Sequence, residues 1–195
     1  LRRNETLLYS EAVARLGSPF FVKPTREGSS LGVTKVRNED EYPQALKEAF
    51  SLDRKNLLEQ AIIGREIEAA VLGTDAPEVA TTLGEIIPNH EFYSYNAKYV
   101  DPNGAILIIP AEIEANVASR IRDLAVESFR VVEGLGMARV DFFLTKDNQI
   151  YINEINTLPG FTSNSMYPKL WEASGLRYSE LLHQLVKLGL QRVAV

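Results

Sequence analysis

Apolar positions recur along this chain with two periods, about 3.6 and 2, and the switches between them mark its elements. Residues Thr6 to Leu16 (TLLYSEAVARL) carry helical spacing that stops at Gly17, a natural C-terminal cap. Pro19 to Lys23 (PFFVK) predicts a short strand, Thr25 to Gly32 (TREGSSLG) a polar loop, and Val33 to Arg37 a second strand. A helix is expected from Asp40, because Pro43 is tolerated only in a first turn; Tyr42, Leu46, Ala49 and Phe50 then share a face. Asn56 to Gln60, Arg65 to Leu72, Glu78 to Ile87 and Ala105 to Ile109 read as strands, with a tyrosine-rich loop from His90 to Val100. Ile113, Val117, Ile121, Leu124, Phe129 and Val132 mark a long amphipathic helix ending at Gly134. Two strands follow, Met137 to Thr145 and Gln149 to Ile155, then a loop (Asn156 to Ser165) and a closing pair of helices. There is no internal repeat and no regular βαβ alternation, so the class is α+β.

Composition narrows the function. The 195 residues are 45% hydrophobic and 24% charged, enough for a real core and too apolar for disorder. A net charge of −5, with no run of Lys or Arg to offset it, argues against nucleic-acid and membrane-surface partners. With no cysteine, disulfide scaffolds, thiolate zinc sites and cysteine nucleophiles are excluded together, as suits a cytoplasmic protein. The longest apolar run, Ala105 to Ala111, is interrupted by Pro110 and cannot span a bilayer. The chain opens on Leu1 with no charged-then-apolar leader, and a helical pattern follows almost at once; the expectation is a piece of a longer protein.

The chemistry concentrates in Met137 to Asn156 (MARVDFFLTKDNQIYINEIN). A two-residue turn at Asp147-Asn148 sets Lys146 opposite Gln149, Asp141 opposite Glu154 and Arg139 opposite Asn156. The last four then project from one face of the hairpin. Two carboxylates directly opposed across strands repel each other. A divalent cation resolves that repulsion: two carboxylates and an amide oxygen suit Mg²⁺ or Mn²⁺, with Arg139 beside them for a phosphoryl group or an oxyanion. The competing account is an exposed salt-bridge network of Arg139, Asp141 and Glu154. The small, hydroxyl-rich loop that follows, Thr157 to Ser165, favours the metal.

Other features are weaker alone. Arg26 to Gly32 (REGSSLG) offers backbone N–H groups and two hydroxyls to a phosphate, or is a plain hairpin loop. Lys23 in the apolar strand is a phosphate ligand or a lysine snorkelling from an edge. Glu59 and Glu66 flank a short crossing, Gln60 to Arg65, of a kind that can hold a purine base by backbone contacts, with a carboxylate on the ribose; Glu66 and Glu68 also fit an ordinary alternating strand. His90 and His183 are isolated, Trp171 reads as packing, and no G-x-S-x-G elbow exists.

With these residues assembled, the chain resembles the C-terminal part of the D-alanine–D-alanine ligases, a family of ATP-grasp enzymes. The likeness runs from about Phe20 to near the end, through FVKPTREGSSLGV, LLEQAIIGREIE, FYSYNAKY, ARVDFFL and NEINTLPGFTSNSMYP in that order. It implies an ATP-grasp fold, with residues 1–65 completing a central subdomain and 66–195 forming the C-terminal one. It also implies ATP with two Mg²⁺ (or Mn²⁺) ions, D-alanine as substrate, and a cytoplasmic homodimer, when full length, that serves peptidoglycan precursor synthesis.

Carried over by motif, Lys23 would hold phosphates, with Glu27, Ser29 and Ser30 in the phosphate loop. Glu59 would lie at the adenine crossing, Glu66 on the ribose, and Lys98 and Tyr99 in a closing loop. Ser29 and Tyr99 would help orient the first D-alanine. Arg139 and the Gly160 N–H would stabilise the intermediates, Ser165 and Met166 would contact the second D-alanine, and Asp141, Glu154 and Asn156 would bind the metal. The family's N-terminal D-alanine-binding domain, with its glutamate and an earlier lysine, has no counterpart here, which implies that the chain alone is not a complete catalyst. The alternatives are a D-lactate or D-serine ligase and a nucleotide-binding fragment without turnover. The segment Tyr95-Asn96-Ala97-Lys98-Tyr99, which lacks the histidine of the depsipeptide-forming members, favours the dipeptide.

Overall fold

The computed structural model describes residues 1–89, 105–162 and 164–193, which divide between two compact units. The first is built on Leu1–Ile62. Its helix α1 (Tyr9–Leu16) starts later than the spacing suggested and ends at Gly17, whose φ of +78° only glycine adopts freely. Strands β1 (Phe20–Pro24), β2 (Thr34–Val36) and β3 (Asn56–Gln60) form an antiparallel sheet in the order β2-β1-β3. Helix α2 (Tyr42–Leu52) follows a single 3-10 turn (Glu39–Glu41), so Pro43 does fall in its first turn. The alternation of β1 buries Phe20 and Val22 against Tyr42, Ala45 and Ala49 of α2 and Ala12 of α1. This apolar stripe fixes which sheet face stays open, and Lys23 lies on it. Because β1 is the central strand, Lys23 is not an edge lysine. The fold also gathers Arg2, Arg3, Arg54 and Lys55 around one cleft, a basic group too scattered in sequence to register as a cluster.

The second unit is a larger antiparallel sheet. Strands β4 (Arg65–Gly73), β6 (Gly84–Pro88), β7 (Ala105–Ile108), β8 (Gly136–Leu144) and β9 (Ile150–Asn156) run in the order β7-β6-β4-β8-β9, and the short β5 (Glu78–Val79) pairs with β4. The single strand expected over Glu78 to Ile87 is broken because the chain turns at Thr81-Thr82, where the Thr82 N–H donates to Ser174 Oγ at 3.0 Å. Helix α3 (Ala115–Val131) lays Val117, Ile121, Ala125 and Phe129 across one sheet face, against Ile67, Ala69 and Val71 of β4 and Ala138, Val140 and Phe142 of β8. Val132 lies beyond the helix and is exposed. The helix stops there because Glu133 turns left-handed (φ 52°) and Gly134 packs on the Phe129 ring, where a Cβ would stand 2.5 Å from ring carbons. Helix α4 (Met166–Ala173) packs against β4 and is followed by α5 (Tyr178–Val193). Among the described residues, no helix is long and apolar enough to cross a membrane.

Candidate functional site

The second sheet has one apolar face, under α3, and a second face that carries a charged row beside the apolar patch covered by α4. Strict alternation in β8 sends Ala138, Val140 and Phe142 into the core and leaves Arg139 and Asp141 on the other side. The neighbouring strands bring partners to both. On β9, Asp141 opposes Glu154 and Arg139 opposes Asn156, the pairs expected from sequence. On β4, Glu68 opposes Asp141 and Ala70 opposes Arg139. Glu68, Asp141 and Glu154 therefore form a row across three adjacent strands, and Glu66 lies two residues along on the same face.

The hairpin reaches this register by a route the sequence did not suggest. Asn148 N–H donates to Thr145 C=O at 3.0 Å, and Asn148 is left-handed (φ 60°), so the loop is three residues, not two. Leu144 pairs with Ile150 and Phe142 with Ile152. A bulge between Asp141 and Phe142 then absorbs Asn153 and returns Asp141 to Glu154.

Arg139 is held hard. Its Nε and a terminal nitrogen donate to the two oxygens of Asp141, each at 2.7 Å, and its Nε lies 3.2 Å from Glu68 Oε2. Burial works against the guanidinium charge, but Asp141, by charge and hydrogen bonding, then Glu68 and Glu154 outweigh it and keep Arg139 protonated. The salt-bridge account is thus partly realised, with Glu68 in it. One guanidinium faces three carboxylates, so negative charge remains in excess.

That excess, with hard oxygen donors in register, fits a divalent cation. Asp141, Glu154 and the Asn156 amide would hold it, Asp141 sharing its oxygens with Arg139. Asn156 Oδ1 already accepts the Leu158 N–H at 3.1 Å, which fixes the amide at the start of the loop. Among the described residues, no three His, Cys, Asp or Glu side chains form a metal-holding group.

The following loop is tied to α4. Ser165, the residue before α4, accepts the Thr162 N–H at 2.9 Å and donates its own N–H to Thr162 C=O at 3.0 Å. Gly160 lies so near that an added Cβ would stand 2.8 Å from Ser165 Oγ. Met166 is buried over Gly84 of β6, where a Cβ would stand 2.5 Å from its Sδ. Phe161 packs on Tyr167 and Tyr178, with ring centres 5.6 and 6.2 Å apart.

In the first unit, Lys23 Nζ lies 2.6 Å from Glu59 Oε2 on the open face of its sheet. Ser29 (φ 58°), Ser30 (φ 59°) and Gly32 (φ 70°) are all left-handed. Consecutive non-glycine residues in that region carry strain of a kind that collects where a backbone binds something. The loop is rooted by Asp53, whose carboxylate is fully buried and accepts Arg26 N at 3.1 Å, Nε at 3.2 Å and a terminal nitrogen at 2.6 Å. Glu27 is exposed. Lys98, Tyr99 and Ser163 lie outside the described residues.

Two of these groups leave no mark in the sequence and a third leaves an ambiguous one. Glu68 reads as one member of an alternating strand, although an acidic residue within EIEAAVL is a signal. Asp53 and Gly84 gave no local sign, because their partners are distant in the chain.

The chain is similar to known proteins over most of its length. The family model described as "D-ala D-ala ligase C-terminus" matches residues 2–187. D-alanine–D-alanine ligase A of Salmonella typhimurium is 55% identical over 184 residues, covering 94% of this chain and 50% of that protein. Among solved structures, the D-alanine–D-alanine ligase of Coxiella burnetii superposes with a TM-score of 0.83 at 39% identity, covering 98% of this chain and 51% of that one. The VanG D-Ala:D-Ser ligase of Enterococcus faecalis gives 0.78 at 37% identity, covering 92% of this chain and 52% of that one. The chain spans about half the length of the curated relatives it matches.

Proposed function

The chain belongs to the D-Ala–D-Ala ligase C-terminus family, and from that premise we propose that it supplies the nucleotide, metal and second-substrate residues of an ATP-dependent ligase joining two D-alanines for peptidoglycan precursors. The γ-phosphoryl group of ATP passes to the carboxylate of one D-alanine and gives an acylphosphate. The amine of the second attacks the acyl carbon, the C–N bond forms, and phosphate leaves. Such chemistry asks the protein mainly for positioning and charge stabilisation.

Lys23 holds phosphate oxygens, and the strained Ser29–Ser30 loop, with Glu27 at its mouth, offers them backbone N–H groups and hydroxyls. Glu59 and Glu66 serve the adenine and the ribose. Arg139 meets the negative charge that develops on the transferring group and the tetrahedral intermediate, and the Gly160 N–H adds a second donor. Ser165 and Met166 receive the second D-alanine, Lys98 and Tyr99 close over the site, and Ser29 and Tyr99 help orient the first. Asp141, Glu154 and Asn156 would hold two Mg²⁺ or Mn²⁺ ions, which when bound would neutralise phosphate oxygens. The complete protein works in the cytoplasm as a homodimer.

The observation that carries this reading is the opposition of Asp141 and Glu154 with Arg139 forked onto Asp141. The test is phosphate release and product analysis with the full-length protein, ATP, Mg²⁺ and each of D-alanine, D-serine and D-lactate. D-alanyl-D-alanine with one phosphate per bond is expected. Preference for D-serine or D-lactate would reassign the acceptor, and nucleotide binding without phosphate release would make the protein a binding module.

A further inference from the structure

Glu68 is the one carboxylate of the three-strand row that has no role in the proposed reaction, and it is the most buried. Its side chain is 5% exposed, against 13% for Asp141. On one side its strand neighbour is Gly84, covered by Met166; on the other it is Asp141. Burying a carboxylate is costly unless it is paired, and an apolar side chain would serve packing at least as well. Its Oε2 lies 3.2 Å from Arg139 Nε as an ion pair, while the single Nε–H is donated to Asp141 Oδ1.

The geometry holds a conflict that Glu68 resolves. Both oxygens of Asp141 accept from Arg139, and a cation drawing on their remaining lone pairs would loosen that hold. If Asp141 turned to a metal with nothing else beside Arg139, the guanidinium would lose its main anchor when it is needed in place. We propose that Glu68 is a positioning residue for Arg139, an ion-pair partner beside Nε that keeps the guanidinium in place when a divalent cation draws on the oxygens of Asp141. The inference rests on the functional reading of Arg139 and Asp141 given above. Arg139 would then keep its place over the sheet whether or not the cation is bound, and its charge would face the transferring group.

Glu68→Gln in the full-length protein keeps the shape and removes the charge. Two measurements apply: Mn²⁺–ADP binding by calorimetry, which needs no turnover, and steady-state kinetics with D-alanine. With Glu68 neutral, Arg139 leans wholly on Asp141 and competes with the metal, so Mn²⁺–ADP affinity should fall about three- to tenfold. The value of kcat should fall about tenfold to a hundredfold, more than the about three- to tenfold rise in KM for ATP that weaker metal–nucleotide binding brings, because Arg139 acts mainly in the transition state. In an Arg139→Met background, Glu68→Gln should leave Mn²⁺–ADP affinity unchanged, because its effect passes through Arg139.

An equal loss of affinity with and without Arg139 would make Glu68 a metal ligand and overturn the proposal. Parental affinity and kinetics, or a lowered thermal midpoint alone, would overturn it too. Should Glu68→Gln not fold, Glu68→Asp keeps the charge but withdraws it by about 1.5 Å. It should then shift both readouts in the same direction by less, and unchanged values would overturn the proposal. A parent protein that neither binds Mn²⁺–ADP nor ligates D-alanine would sink the functional reading and this inference together. A competent parent matched by Glu68→Gln sinks the inference alone.

Discussion

Arg139 sets Nε and a terminal nitrogen on the two oxygens of Asp141, both at 2.7 Å. The fork converts what would be a repulsive carboxylate row into a partly neutralised one, so Asp141 has a structural role besides any role toward metal. Asp141→Asn should therefore destabilise the metal-free protein by about 1–3 kcal/mol, the scale of breaking a charge-assisted hydrogen-bonded pair at a largely buried site with Glu68 still present. Mg²⁺–ADP binding should weaken as well. Urea unfolding with and without Mg²⁺–ADP measures both; unchanged stability would mean that the fork contributes little.

The local elements were readable because local periodicity sets them: β3 was placed residue for residue, and α3 by its apolar stripe. The pairing of Asp141 with Glu154 was legible for a less secure reason. The assumed two-residue turn was one residue short, and the bulge at Asn153, invisible to pattern reasoning, compensated. Glu68 was illegible in principle from local pattern. Its place depends on β4 pairing with β8, which sets Glu68 beside Asp141, far away in the chain, and no local signal encodes that neighbour. The left-handed Ser29 and Ser30 were equally hidden, since serine shows no preference for that region.

Gly32 ends the strained loop at φ 70°, and a Cβ there would collide with Leu52 Cδ1 and stand 3.0 Å from Pro24 Cγ. Gly32→Ala combines an unfavourable backbone angle with that collision. The expected cost is about 1–3 kcal/mol of stability, with weaker nucleotide binding because the loop must shift. Chemical denaturation and ADP titration check both. Unchanged ADP affinity in a well-folded variant would remove the loop from the nucleotide site.

Asp53 gives a pH signature. Its hydrogen bonds with Arg26, helped by the Arg54 and Lys55 N–H groups, hold its carboxyl well below the usual carboxylate range despite burial. In the unfolded chain it titrates near about 3.9. The unfolded state thus binds the proton first as pH drops, so the stabilisation is complete above about pH 4 and is lost on further acidification. Asp53→Asn should lower stability at neutral pH and flatten the acid limb of the stability curve. Thermal midpoints from pH 2.5 to 7 decide this. Parallel curves for parent and variant would show that the Arg26 ion pair does not form in solution.

Gly84 couples the sheet to the proposed acceptor pocket through Met166. A Cβ at Gly84 would stand 2.5 Å from Met166 Sδ, 2.9 Å from its Cε and 3.1 Å from Leu170 Cδ2. The two nearest atoms are the far end of a flexible side chain, so Gly84→Ala should fold, but only by displacing the Met166 thioether. Met166 is proposed to touch the second D-alanine and not the nucleotide, so the change should fall on one substrate. KM for the acceptor D-alanine should rise by about three- to tenfold, somewhat less than the worth of one methylene in an apolar pocket because the thioether can move aside, while KM for ATP stays within about twofold. Initial rates with each substrate varied in turn separate the two. A rise in KM for ATP with the acceptor unaffected would put Met166 on the wrong substrate and require the loop from Gly160 to Met166 to be reassigned.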